Sequence, residues 1–139
     1  MGCIRIPKTR TINEHIAMEI SRVTRNGVEI AVIENNRVIL INDLQDALDL
    51  IGNILFEVNA SRIILDKSAF CEDFFDLKTK LAGDVLQKFT TYHIAVAIVG
   101  DFSGYTSKSL RDFFYETNRG NSVFFLENED LALEKLSKV

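Results

Sequence analysis

The spacing of apolar residues changes character part-way along the chain. Between residues 19 and 41 apolar positions partly alternate with small or polar ones, the two-residue period of half-buried strands. Residues 19–24 and 28–33 flank Asn26-Gly27, a pair that supplies the positive φ angles of a type I′ turn, so a hairpin is predicted. Asn35-Asn36 predicts a second turn and residues 37–41 a further strand, giving three antiparallel strands in succession.

The period then lengthens to that of a helix. Leu44, Ala47, Leu48, Ile51, Ile54, Leu55 and Val58 share one face, with Asn42 or Asp43 as the cap. Residues 62–66 read as a short apolar strand. Asp73 is expected to cap a second helix that turns Phe74, Leu77, Leu81, Val85 and Phe89 inward. Residues 94–99 form a buried strand, and a third helix opening at Thr106 or Ser107 buries Leu110, Phe113 and Phe114 before ending at 118–120. A last strand over 122–126 leads to a helix capped by Asn128, with Glu129 and Asp130 in its first turn and Lys135 and Lys138 in its last, as the helix dipole favours. The order βββ-α-β-α-β-α-β-α predicts an α/β fold: a mixed sheet with an antiparallel amino-terminal hairpin, parallel βαβ units and about four helices.

Residues 1–17 show no clear period and differ in charge from the remainder, carrying Arg5, Lys8 and Arg10 against Glu14. They are read as an irregular extension, with a single domain over 18–139. A chain of 139 residues is the right length for one compact domain. The formal net charge is −4, and beyond residue 17 thirteen basic side chains face nineteen acidic ones. That sign argues against a nucleic-acid partner, which requires cationic surface to displace counterions. No apolar run approaches the length of a membrane span, and the amino end lacks a secretory signal core. Two cysteines, Cys3 and Cys71, make no disulfide framework, which fits a reducing cytoplasm.

Candidate chemistry collects where an α/β sheet exposes its ligand sites, at the carboxyl ends of the parallel strands. The strand ending at Val99 runs into Gly100, Asp101, Phe102, Ser103, Gly104, Tyr105, Thr106, Ser107 and Lys108 before the third helix, with Arg111 one turn on. Two glycines and a helix amino terminus could hold a small anion, although the spacing is neither that of a P-loop nor Gly-x-Gly-x-x-Gly. Lys67 and Ser68 form a second polar loop on the neighbouring strand. Asp43, Asp66 and Asp101 each end or follow a strand, but the lysine a phosphoacceptor site needs after the last strand is replaced by Glu127-Asn128, so caps and turns are the better account of these acids. His15 and His93 are isolated and have no metal-ligand spacing, and neither metal nor cofactor is expected. Adjacent phenylalanines at 74–75, 113–114 and 124–125 cannot all face one core: the strand pair suits burial on both faces, whereas a helical pair suggests an interface, including that of a homodimer.

The segments 73–78 (Asp-Phe-Phe-Asp-Leu-Lys) and 99–113 (Val-Gly-Asp-Phe-Ser-Gly-Tyr-Thr-Ser-Lys-Ser-Leu-Arg-Asp-Phe) resemble the bacterial family catalogued as domain of unknown function 4180, from about Met18 to the end. More distantly, the layout is similar to the STAS group, the anti-sigma-factor antagonist-like domains with their SpoIIAA-like branch. That resemblance implies work through protein contacts, in some members the binding of small anions or lipids, and a switch serine at a helix start. Ser68 is the one residue that could stand in for that serine, and it precedes the expected helix. The expected function is a non-catalytic cytoplasmic regulatory or interaction module with an unidentified protein partner. Its surface would comprise Lys67, Ser68, Asp101, Ser103, Gly104, Tyr105, Thr106, Ser107, Lys108 and Arg111. The alternative is a sensor or enzyme that binds a small anion at residues 100–109.

Overall fold

The computed structural model of the chain describes the backbone of residues 4–13 and 16–139, and side chains from Met18 onward. Six strands among these residues form one sheet in sequential order: β1 (Ile4–Asn13), β2 (Ile16–Arg25), β3 (Val28–Glu34), β4 (Arg62–Asp66), β5 (Ala95–Val99) and β6 (Val123–Leu126). The first two pairings are antiparallel and the last three parallel, the mixed α/β sheet that the sequence predicts. Asn26 and Gly27 both take positive φ, 54° and 77°, so the β2–β3 hairpin closes on the expected turn.

Three helices connect the parallel strands: α1 (Leu44–Asn53), α2 (Leu81–Thr91) and α3 (Lys108–Asn118); a fourth, α4 (Glu129–Leu136), follows β6. Each crossover steps to the next strand on the same side, and crossovers of one hand taken in one direction land on one face. The packing bears this out. Ala47, Leu50, Ile51, Val85, Phe89, Leu110 and Phe114 of the crossover helices share a core with Ile33, Ile63, Leu65, Val96, Ile98 and Phe125. Ala132, Leu133 and Leu136 of α4 cover the opposite face, over Val23, Ile30, Ile64, Ala97 and Phe124. Phe124 and Phe125 thus divide between the two faces, as the strand's two-residue period requires.

The structure departs from the sequence pattern at three places. Residues 4–13, read as part of an irregular extension, form β1. Its backbone pairs along β2 with a register shift between Ile6 and Thr9, on either side of Pro7, which cannot donate to a ladder. Residues 37–41 are not a third hairpin strand, because the free edge of β3 is taken by β4. Asn36 and Arg37 turn the chain away at φ 52° and 63°, and Leu40 and Ile41 both donate backbone N–H to Ala69 O at 2.9 Å, leaving a single parallel bridge from Ile41 to Phe70. The second helix does not start at Asp73. Short 3-10 turns occupy Lys67–Ala69, Glu72–Phe75 and Leu77–Thr79, and Lys80 at φ 64° separates them from α2. The side chain of Asp76 accepts from Lys78 N, and Thr79 Oγ1 donates toward Asp73 O and Asp76 O, drawing that backbone out of the helical ladder. Both Phe74 and Phe75 are buried there, so this pair is core.

Among the described residues, strand β6 is an edge with no further strand beside it. Its open side is blocked by one residue. Asn118, at the end of α3, donates from Nδ2 to Phe125 O at 3.0 Å and accepts from Phe125 N at 2.6 Å, standing in for a seventh strand. Asn118→Ala leaves both groups unpaired and is expected to cost about 1–3 kcal/mol, measured by urea unfolding; a loss below a few tenths would show that water replaces the carboxamide freely.

Candidate functional site

The carboxyl ends of β4 and β5 carry the same local device. After β4, Asp66 Oδ2 accepts from Ser68 N at 2.8 Å and from Ser68 Oγ at 2.6 Å. After β5, Asp101 Oδ1 accepts from Ser103 N at 2.9 Å and from Ser103 Oγ at 2.6 Å. Asp-x-Ser thus forms twin turns on adjacent parallel strands, each carboxylate bonded to the backbone two residues on. Asn35, 1% exposed, ties the first turn to the end of β3 by donating from Nδ2 to Ser68 Oγ at 3.1 Å and to Val38 O at 2.8 Å.

Lys67 joins the two turns. Its stem crosses the end of β5 and its Nζ donates to Asp101 O at 2.8 Å, lying 4.6 Å from the Tyr105 ring centre and 5.8 Å from that of Phe102. The crossing requires Gly100: a Cβ there would meet Lys67 Cβ at 2.7 Å. Beneath the lysine, Tyr105 stacks on Phe75 at 5.2 Å between ring centres, and Phe102 packs against Phe114 and Phe125 at 5.1 and 5.6 Å. The edge is therefore two polar loops on an aromatic floor.

The electrostatics follow from these contacts. The hydroxyl and then the N–H of Ser103 hold the Asp101 carboxyl below its ordinary pKa of 3.8, with Lys67 adding a smaller pull. Burial, then the charge of Glu72, raises the Tyr105 phenol above its ordinary 10.0, so the ring stays neutral under the ammonium.

Of the remaining residues expected at the site, Gly104 and Thr106 are exposed, and Ser107 caps α3 by accepting from Leu110 N at 3.2 Å. Lys108 is drawn into an exposed ion pair with Asp112 at 2.8 Å, and Arg111 points to solvent on the same helix. The structure thus brings Lys67, Ser68, Asp101, Ser103 and Tyr105 together and leaves Lys108 and Arg111 apart from them. Ser68 sits in the 3-10 turn Lys67–Ala69, well before the start of α2 at Leu81. Asp43 caps α1 through Asp46 N, so Asp43, Asp66 and Asp101 are each a cap or a turn former.

Three depressions meet at Gly100. One of about 430 Å³ lies between the twin turns, around Asp66, Lys67, Glu72 and Tyr105. Another of about 290 Å³ crosses the strand ends between Glu34, Asp66, Glu127 and Glu129. The largest, about 810 Å³, is a groove between α3 and α4, floored by Phe102, Phe114, Phe125, Leu126 and Leu131 with Asp101 and Glu127 at its rim. Sequence reasoning missed this groove. The adjacent phenylalanines were the available signal, since Phe114 and Phe125 each need a second neighbour beyond their own element. A further depression of about 440 Å³ lies around Arg62 and His93 at the opposite ends of the strands, away from these residues.

Two measurements check this construction. Gly100→Ala is expected to cost about 1–3 kcal/mol, because the Lys67 stem must move off the strand end; an unchanged unfolding midpoint would show the crossing to be dispensable. In Ser103→Ala, the Asp101 carboxyl should titrate closer to 3.8, followed by carboxyl NMR shifts. The sign follows from the lowered pKa: the turn's charge-assisted bonds persist at neutral pH and fail only as pH falls through that lowered value.

Among the described residues no helix is long and apolar enough to cross a membrane. No curated protein and no solved structure matches the chain. A family model described as "Domain of unknown function (DUF4180)" matches residues 25–136, from the hairpin turn to the last turn of α4, and so spans the parallel sheet, the twin turns and the groove. With that much of its length matched, the chain belongs to the DUF4180 family.

Proposed function

We propose that this protein is a non-catalytic regulatory or interaction module that binds through the carboxyl edge of its sheet. One observation carries the reading: the serine hydroxyls of the twin turns and the lysine between them are already committed to holding the edge. Ser68 and Ser103 donate to their own aspartates, and Lys67 donates to Asp101 O. A hydroxyl bonded to a carboxylate two residues away, whose same oxygen already holds the backbone N–H of that turn, is a turn element rather than an activated nucleophile. What the arrangement offers instead is a braced surface beside an apolar groove. A regulatory role of the STAS type, a cytoplasmic location and self-association belong to the same proposal. Phe56, 88% exposed, and Tyr115, 65% exposed on α3, are the most exposed of the large apolar side chains available for contact with a second copy.

The test compares wild type with Ser68→Ala and Ser103→Ala on p-nitrophenyl acetate and p-nitrophenyl phosphate. Equal rates in all three proteins, at the level of a control protein, are expected. Turnover by wild type that either variant loses would make the edge an active site and overturn the proposal.

A further inference from the structure

The three depressions at Gly100 share more than a boundary. Glu34, Asp66, Glu72, Asp101 and Glu127 line them, against the single lysine Lys67. That lysine is occupied, its ammonium held by the Asp101 carbonyl and the Tyr105 ring. Lys108, expected as a partner for an anion, is paired with Asp112 instead. An anion entering here would meet an excess of negative charge, whereas a cation would meet complementary charge.

The groove adds the second half of the recognition. Its volume of about 810 Å³ falls in the range of small-molecule sites, and its floor is aromatic and aliphatic. Leu131 in this floor is 45% exposed, an apolar side chain on the first turns of α4 with no covering element. Glu127 stands at the same rim, exposed to solvent, and no described side chain pairs with it. The neighbouring Lys67 contact shows how this edge accommodates an ammonium: a carbonyl oxygen on one side and a ring face on the other.

From this pairing of an apolar floor with an acidic rim, we infer that the groove between α3 and α4 binds a small organic cation, an amine carrying one aromatic or aliphatic body, and selects against anions. The inference rests on the binding-module reading and assigns its ligand class.

Three probes with one body and different charge test it: 2-phenylethylamine, 2-phenylethanol and phenylacetate, titrated into the intact protein by calorimetry with amide NMR shifts to locate them. The amine is expected to bind about five-fold or more tightly than the alcohol, and phenylacetate more weakly than either. Raising the salt should shrink the amine's advantage. Glu127→Gln, an exposed and nearly isosteric change, should bring the amine close to the alcohol and leave the alcohol unchanged. Leu131→Ala should weaken amine and alcohol alike. Phenylacetate binding as tightly as the amine, an amine-to-alcohol ratio unchanged in Glu127→Gln, or shifts located outside the groove would each overturn the inference. Equal binding of all three probes in the groove would also overturn the charge selection while leaving the binding-module reading intact. Absence of binding by all three at millimolar concentration would remove the groove as a small-molecule site.

Discussion

The sheet's order is the constraint from which the rest follows. β3 to β6 are laid down one beside the next without reversal, and each crossover between them carries its helix to the same face. In doubly wound sheets a reversal of strand order parts two crossover loops and opens a crevice for a ligand. No reversal occurs here, so the carboxyl edge has no ready-made crevice. Whatever the edge binds must be received by structures added to the strand ends: the twin Asp-x-Ser turns, Lys67 and the groove beside α4.

Those additions depend on one another. Gly100 allows Lys67 to cross, Lys67 fixes the Asp101 carbonyl, and Asp101 orients Ser103, which in turn lowers the carboxyl's pKa. The aromatic floor supports the same group, since Tyr105 lies under the ammonium and stacks on Phe75. Each polar atom in this chain of contacts is exposed enough to lose individual strength to water, and an exposed cation–π contact contributes only about 0.5–1 kcal/mol. Their collective effect is to hold two loops in a fixed relation, which matters more for presenting a surface than for stabilising the fold.

How far the sequence discloses this depends on whether the deciding contacts are local. The Asn26-Gly27 turn, the strands near 62–66 and 122–126, and the caps are settled within a few residues and are legible, Asn128 outright and Asp43 and Ser107 as one of two neighbours each. Residues 37–41 carry the pattern of a strand, yet whether they pair depends on β4, some twenty-five residues on, reaching β3 first. Phe74 and Leu77 fall on a helical period, but the side chains of Asp76 and Thr79 compete for the backbone and Lys80 breaks the run. The candidate loops were found because strand ends are predictable. The groove was not, because Phe102, Phe114, Phe125 and Leu131 come from four separate elements and meet only in the folded sheet.

The charge of the edge is legible only after folding, and it alters the chemistry expected there. In the sequence, Lys67, Lys108 and Arg111 lie close to glycines and hydroxyls, a grouping that suggests an anion. Folding removes two of these cations along an exposed helix and turns the third inward onto a carbonyl, while it gathers carboxylates from the ends of β3, β4, β5 and β6 around Gly100. Parallel strands make this gathering unavoidable, because every residue that follows a strand arrives at the same edge. An acidic residue after each of four strands therefore sums to one field, whatever the separate role of each as cap or turn former. The lone lysine offsets a single charge of that field, and the apolar groove opens beside the Glu127 carboxylate, which no described side chain pairs.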